Sequence, residues 1–201
     1  MKVLIGCESS GAVREAFRKL GHDAYSCDLL KADDNSKFHI QGDLLDVIKS
    51  IQWDLLIAHP PCTYLSVSGM HWTTRGLRDP KLTEDALEFA QALFDADIEK
   101  ICIENPVSII STRIRKPEQI IQPYEFGEDA SKRTCLWLKN LPVLIPTAYV
   151  QPRIVNGKKR WSNQTDSGQN RLGPSPERWK IRSKTYQGIA DAMAMQWGAI
   201  K

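Results

Sequence analysis

With 201 residues, 42% of them hydrophobic and 25% charged, the chain has the size and balance of one globular domain in water. No apolar run approaches the roughly 20 residues of a membrane span, which excludes that class. The five cysteines, at 7, 27, 62, 102 and 135, form no CxxC pair, and the four histidines have no helical ligand spacing. Neither a disulfide framework nor a metal is expected, and reduced thiols suit a cytoplasm. The net charge of +3 is unevenly placed: Gln151 to Lys184 holds nine Lys/Arg against Asp166 and Glu177, a local +7, and the remaining residues carry −4. A concentrated basic segment on a mildly acidic body suits a polyanion partner, although a solvated loop can have the same composition.

The opening MKVLIGC is apolar only from Val3 to Ile5. That is shorter than the about 7–15 residues of a signal peptide, so Lys2 to Gly6 reads as a first strand. The turn Gly6-Cys7-Glu8-Ser9-Ser10-Gly11 follows, and Val13, Ala16, Phe17 and Leu20 then recur at the spacing of one buried helix face. Gly21 supplies a left-handed stop. The next strand, Ala24 to Cys27, closes on Asp28. Strand, glycine turn, helix, strand and acid is an arrangement that holds a nucleotide-like cofactor: glycines admit its backbone approach, free helix N–H groups face it, and the acid takes ribose hydroxyls. Any α/β turn can carry such glycines; the acid adds weight.

Asp43 introduces a short helix over Leu44 to Ile51. Leu55 to Ala58 is then an apolar strand stopped by His59-Pro60-Pro61, because proline removes a ladder donor and forces the preceding residue out of helical geometry. Cys62 falls on the loop beyond the carboxyl end of that strand, where ligands bind in open α/β sheets. Ser66, Ser68 and Gly69 read as a mobile continuation. A free cysteine is also a common small core residue, and both readings stand at this point. Asp79-Pro80 opens a helix with Ala86, Phe89, Ala90, Leu93 and Phe94 inward, and Ile101 to Ile103 is a strand that stops at Glu104-Asn105-Pro106. The placement of Glu104 repeats that of Cys62, so the two can meet across neighbouring strands. Cys135 to Leu138 reads as another strand, Asn140-Leu141-Pro142 as a turn, and Ala190, Met193, Ala194 and Trp197 as the inner face of a last helix. Glycines and prolines break regular structure through the basic segment.

A thiol and a carboxyl group at adjacent strand ends can perform covalent pyrimidine chemistry: sulfur adds to carbon 6 while the acid engages ring nitrogen 3, making carbon 5 nucleophilic. Pro60-Pro61-Cys62 with Ser66, followed later by Glu104-Asn105, resembles the catalytic motifs of the cytosine-5 DNA methyltransferases. The phrases IENP, KRTCLWLKNLP and RSKTYQGIADAMAMQWG are similar to the short phage and prophage members of that superfamily.

The resemblance implies an α/β, Rossmann-like S-adenosylmethionine-dependent methyltransferase fold with a mostly parallel sheet and a much reduced target-recognition region. It implies Cys62 as nucleophile and Glu104 as acid. Gly6, Glu8, Ser9 and Gly11 would hold the methionine part of S-adenosylmethionine, Asp28 the ribose and Asp43 the adenine, with Pro60, Ser183 and Thr185 completing the site. Ser66, Asn105, Lys132, Arg133, Lys158, Lys159, Arg160 and Trp161 would meet a flipped cytosine and its DNA. The implied division is a core over 1–150, a basic insertion over 151–184 and a completing helix over 185–201. The aromatic FxGxG opening and the QxRxR motif of the family are absent, and Lys132 or Arg133 stands where an arginine is needed. Carbon-5 modification of a free pyrimidine nucleotide, transfer of another group, amino-group methylation and a non-catalytic binding protein are the competing readings. His59 and Cys62 fit the amino-methyltransferase pattern poorly.

Overall fold

The apolar run after Met1 becomes β1 (Lys2–Gly6), and a crossover through α1 (Ala12–Lys19) leads to β2 (Asp23–Asp28). After β3 (His39–Gln41) come α2 (Leu44–Ser50), β4 (Leu55–Ala58), α3 (Val67–Thr74), α4 (Lys81–Phe94) and β5 (Lys100–Pro106). The remaining elements are α5 (Ile110–Arg113), β6 (Gln119–Ile121), β7 (Thr134–Lys139), β8 (Arg153–Val155), β9 (Lys158–Arg160), α6 (Arg178–Ser183) and α7 (Gln187–Trp197). This is a computed structural model, and it describes residues 1–200.

Seven strands form one sheet in the order β3-β2-β1-β4-β5-β7-β6, with β8 and β9 as a separate hairpin. The first five in that order run parallel, and β7 lies antiparallel between β5 and β6. The chain therefore starts in the middle of the sheet, winds to one edge, and returns to build the other from β4 onward. That reversal, between β1 and β4, is where an open α/β sheet leaves a crevice at its strand carboxyl ends.

Both faces are covered, as parallel sheets require. Val3, Ile5, Leu55 and Ile57 point to the α1 and α7 side, with Phe17, Met193 and Trp197. Leu4, Leu56 and Ala58 point to the α2 and α4 side, with Val47, Leu87, Leu93 and Trp53. The period of two along each strand thus divides the core into two layers. The face expected for the last helix is buried at Ala190, Met193, Ala194 and Trp197.

Four expectations are corrected. Leu20 is 52% exposed because it caps α1 instead of continuing its inner face. β5 does not stop at Glu104: antiparallel pairing with β7 carries it on through Glu104↔Leu136 and Asn105↔Cys135 to Pro106↔Thr134, while pairing with β4 ends at Ala58↔Ile103. The stretch taken as a mobile loop, Ser66 to Gly69, is the start of α3, capped by the Ser66 hydroxyl accepting from Gly69 N–H at 3.1 Å. The basic segment contains a regular hairpin, turned by Asn156 and Gly157, both in the left-handed region with φ of 49° and 72°.

Candidate active site

Two turns at the carboxyl edge, either side of the reversal, gather most of the expected residues. The first joins β1 to α1. Cys7 adopts φ 57° and Gly11 φ 71°, conformations that fold the turn back toward the sheet. Burial pushes the Cys7 thiol far up, and the charges of Asp28 and Asp43 add to this, so both acids are gathered around the same turn. Asp28 gives one oxygen, Oδ1, to Leu30 N–H at 2.9 Å. Asp43 gives Oδ1 to Leu45 N–H at 2.7 Å as the cap of α2. Each retains a second carboxylate oxygen without a protein hydrogen bond among the described residues. Ser9 is half-buried, and its carbonyl accepts from Asp33 N–H at 2.9 Å.

Parts of this turn have internal employment. The Glu8 carboxylate is buried and accepts from Val13 N–H at 2.8 Å and Arg14 N–H at 3.3 Å. It caps α1, a role that draws a carboxylate to any helix amino end, so neither Glu8 nor those N–H groups are open to a ligand. A Cβ on Gly6 would lie 3.1 Å from Leu44 Cγ and closer to its methyl groups, so this glycine admits α2 instead of a cofactor. Gly11 makes room for the guanidinium of Arg14, which is fully buried and bonded to Ser26 Oγ at 2.7 Å and to the carboxylate of Asp34.

The second turn leaves β4. His59 follows Ala58, and the parallel register Ala58↔Ile103 brings it beside Glu104. Its Nδ1 lies 2.9 Å from Glu104 Oε2, with the two side chains 9% and 10% exposed. Burial would raise the Glu104 carboxyl, but the His59 hydrogen bond and the charges of Lys132 and His59 outweigh it and hold the group below the usual range. Pro60 is buried, and its carbonyl accepts from Asn105 Nδ2 at 2.7 Å, tying the proline turn to β5. Cys62 is half-buried. Burial pushes its thiol up, Lys132 pulls it down, Glu104 adds to the rise and Arg182 opposes it; the balance is upward. Cys62 and Glu104 thus lie within electrostatic reach of each other and of two cations. Of the five buried side-chain polar atoms without a partner among the described residues, His59 Nε2, Asn105 Oδ1 and Ser108 Oγ belong to this turn or the end of β5. Such groups are rare in folded proteins.

α6 is tied to the loop after β2 and to the loop before β7. Lys180 Nζ is 2.8 Å from Asp33 Oδ1, and Lys132 Nζ donates to the Arg182 carbonyl at 3.0 Å. Ser183 is exposed, with its hydroxyl donated to the Lys180 carbonyl, and Thr185 is half-buried just before α7. Arg133, Lys158 and Lys159 are exposed, and Arg160 is half-buried with its guanidinium on the Asp166 and Lys159 carbonyls. Two residues expected to meet substrate are instead structural. Ser66 is buried as the α3 cap. Trp161 is 7% exposed, stacked on Tyr124 at 4.1 Å, with Nε1 donating to the Val150 carbonyl, so no face remains for a base. His59 and Arg182 were missed by sequence reasoning. The former had a signal in its position one residue past β4, the latter none.

No family model and no curated protein sequence matches the chain. Among solved structures it is similar to the Entamoeba histolytica methyltransferase EhMeth, with TM-score 0.53 and 14% identity over 75% of this chain and 58% of that one. The fold is that of a Rossmann-like methyltransferase. It is also similar, with TM-score 0.48 and 12% identity over 75% of this chain and 52% of the other, to a candidate DNA modification methyltransferase encoded within an E. coli prophage. The chain spans little more than half the length of either neighbour. Among the described residues no helix is long and apolar enough to cross a membrane, and no group of three or more His, Cys, Asp or Glu could hold a metal ion.

Proposed function

We propose that the chain is an S-adenosylmethionine-dependent methyltransferase acting on carbon 5 of cytosine in DNA through a covalent adduct of Cys62. The observation that carries this reading is the placing of Cys62, on the turn that leaves β4, within electrostatic reach of Glu104 on the neighbouring parallel strand, with Lys132 acting on both and Arg182 on Cys62. The fold it shares with EhMeth supports methyl transfer as the reaction class.

The first turn fits the cofactor in its donor set. The unbonded oxygen of Asp28 at the end of β2 suits ribose hydroxyls, and that of Asp43 suits an exocyclic amine. Bound S-adenosylmethionine supplies the electrophilic methyl group that carbon 5 receives. Cys62, as thiolate, forms a bond to carbon 6 while the ring's double-bond electrons move toward nitrogen 3, where Glu104 supplies a proton. Transfer of the carbon 5 proton to solvent water as base then re-forms the double bond and expels the Cys62 thiolate. Lys132 and Arg182 favour the thiolate that burial opposes. In duplex DNA the base is flipped to reach the sulfur, with the exposed Lys158 and Lys159 on phosphates.

The competing substrate is a free pyrimidine nucleotide, favoured by the small size of the basic segment, whose only sheet is a two-stranded hairpin. Radiolabelled S-adenosylmethionine is therefore offered with DNA and, separately, with dCMP, to wild type and Cys62→Ala. Label at carbon 5 of DNA cytosine, absent with Cys62→Ala, is the expected result. Label in dCMP alone moves the assignment to nucleotide modification. No label in either, with no covalent trapping on a 5-fluorocytosine oligonucleotide, overturns the reading.

A further inference from the structure

The proline turn carries a second ionisable side chain whose place the covalent mechanism leaves unexplained. We propose that His59 is a positioning residue that acts through Glu104, orienting its carboxylate and replenishing the proton that Glu104 gives to ring nitrogen 3. The proposal rests on the pyrimidine reading of the site.

The geometry is specific. One carboxylate oxygen, Oε2, is taken by His59 Nδ1 at 2.9 Å, and Oε1 has no hydrogen-bond partner among the described residues. The carboxylate therefore has one oxygen fixed and one presented. The pair is enclosed, with each side chain at most one-tenth exposed, so it exchanges protons with each other more readily than with bulk water. The nitrogen remote from Glu104, Nε2, is buried and unpartnered, and is the second protonation position of the ring. A carboxylate held ionised by its neighbour is a poor acid on its own; paired with a doubly protonated imidazole it becomes an effective one.

The proton balance is closed. As the Cys62 sulfur bonds to carbon 6, the Nδ1 proton of a doubly protonated His59 passes to the Glu104 carboxylate, and the carboxyl group so formed gives it to nitrogen 3 and is ionised again. The imidazole is left neutral with its remaining proton on Nε2. When the thiolate leaves, the nitrogen 3 proton returns along the same route. Other ionisable groups facing the pair are Lys132 from the loop before β7, Cys62 on its own turn, Cys102 on β5 and Cys135 on β7, with Arg182 of α6 beyond Cys62. Among the described residues only His59 is hydrogen-bonded to the carboxylate.

His59→Asn and His59→Ala separate the two duties, because asparagine can keep a hydrogen bond to Oε2 but cannot relay a proton. Methylation of a cytosine-containing duplex is followed against pH, with 5-fluorocytosine trapping as the control for the underlying reading and thermal melting as the control for folding. The expected result is that His59→Asn melts like wild type and keeps KM for DNA within about twofold. Its kcat falls at least tenfold, and its rate–pH profile differs from that of wild type. A His59→Asn enzyme with wild-type kcat and pH profile overturns the proposal while leaving the Cys62 chemistry intact. Carboxyl-carbon NMR reads the pairing without turnover: the Glu104 titration moves upward in His59→Ala. An unmoved titration overturns the pairing, whatever the activity. If wild type neither methylates nor is trapped, the pyrimidine reading falls and the relay falls with it.

Discussion

Replacing Gly188 by alanine tests whether the last helix is placed by contact or by helix preference. An added Cβ would lie 2.9 Å from the carbonyl carbon of Phe126 and closer still to its oxygen. Carbon pairs settle at about 3.5–4.0 Å, so the backbones must part by on the order of 1 Å. Neither is free to do so. Phe126 is 3% exposed and its N–H is bonded to the Pro123 carbonyl at 2.9 Å. α7 is locked by Ile189, Ala190, Met193 and Trp197, each no more than 3% exposed. Overpacking costs about 1–3 kcal/mol, and a backbone obstacle puts this case near the top, about 3. Helix propensity works the other way, favouring alanine over glycine by about 1 kcal/mol. The clash wins by about 2 kcal/mol, which for a domain of this size lowers Tm by roughly 4–8 °C. Urea unfolding followed by tryptophan fluorescence reads the difference directly. A Gly188→Ala protein as stable as wild type, or more so, would refute the argument that close backbone approach sets the position of α7.

Three further outcomes follow from the site. Because burial dominates the raised Cys62 thiol and Lys132 opposes it, alkylation of Cys62 followed by mass spectrometry has its midpoint above the ordinary thiol pH, and Lys132→Ala moves it higher still; a midpoint unmoved or lowered would remove Lys132 from the site. Asp28→Ala weakens S-adenosylmethionine binding by about 10–100-fold, the range for hydrogen bonds to a charged group, and unchanged affinity in calorimetry would put the cofactor elsewhere. Lys158→Ala with Lys159→Ala lowers the slope of log DNA affinity against log salt by about 2; an unchanged slope would take the hairpin out of the interface.

What the sequence made legible was set by local chemistry. Leu55 to Ala58 was readable to the residue because prolines end a strand without help from its neighbours. The end of β5 was not, since Glu104 to Pro106 stay extended by pairing with β7, a partner that lies far off in the sequence. The Asn156-Gly157 turn carried a local signal for the hairpin that the charge pattern around it obscured. Glu8 and Trp161 have the residue types of ligand contacts, but a helix amino end claims one and Tyr124 the other. Cys62 and Glu104 stood out by their places at strand ends, and the roles expected of them came from the family resemblance. The His59–Glu104 bond could not be read, because it depends on which strands are neighbours and in what register.

The unequal lengths of β4 and β5 leave Glu104 on a ledge. On one flank its backbone is clamped by β7; on the other, the neighbouring strand has already turned away, and His59 from the turn that follows it reaches the carboxylate. A carboxylate so mounted keeps its place through sheet hydrogen bonds, independently of surface loops. The loops around it are thereby free to diverge, and with them the choice of what is brought to the ledge, while the acid itself stays where the sheet has set it.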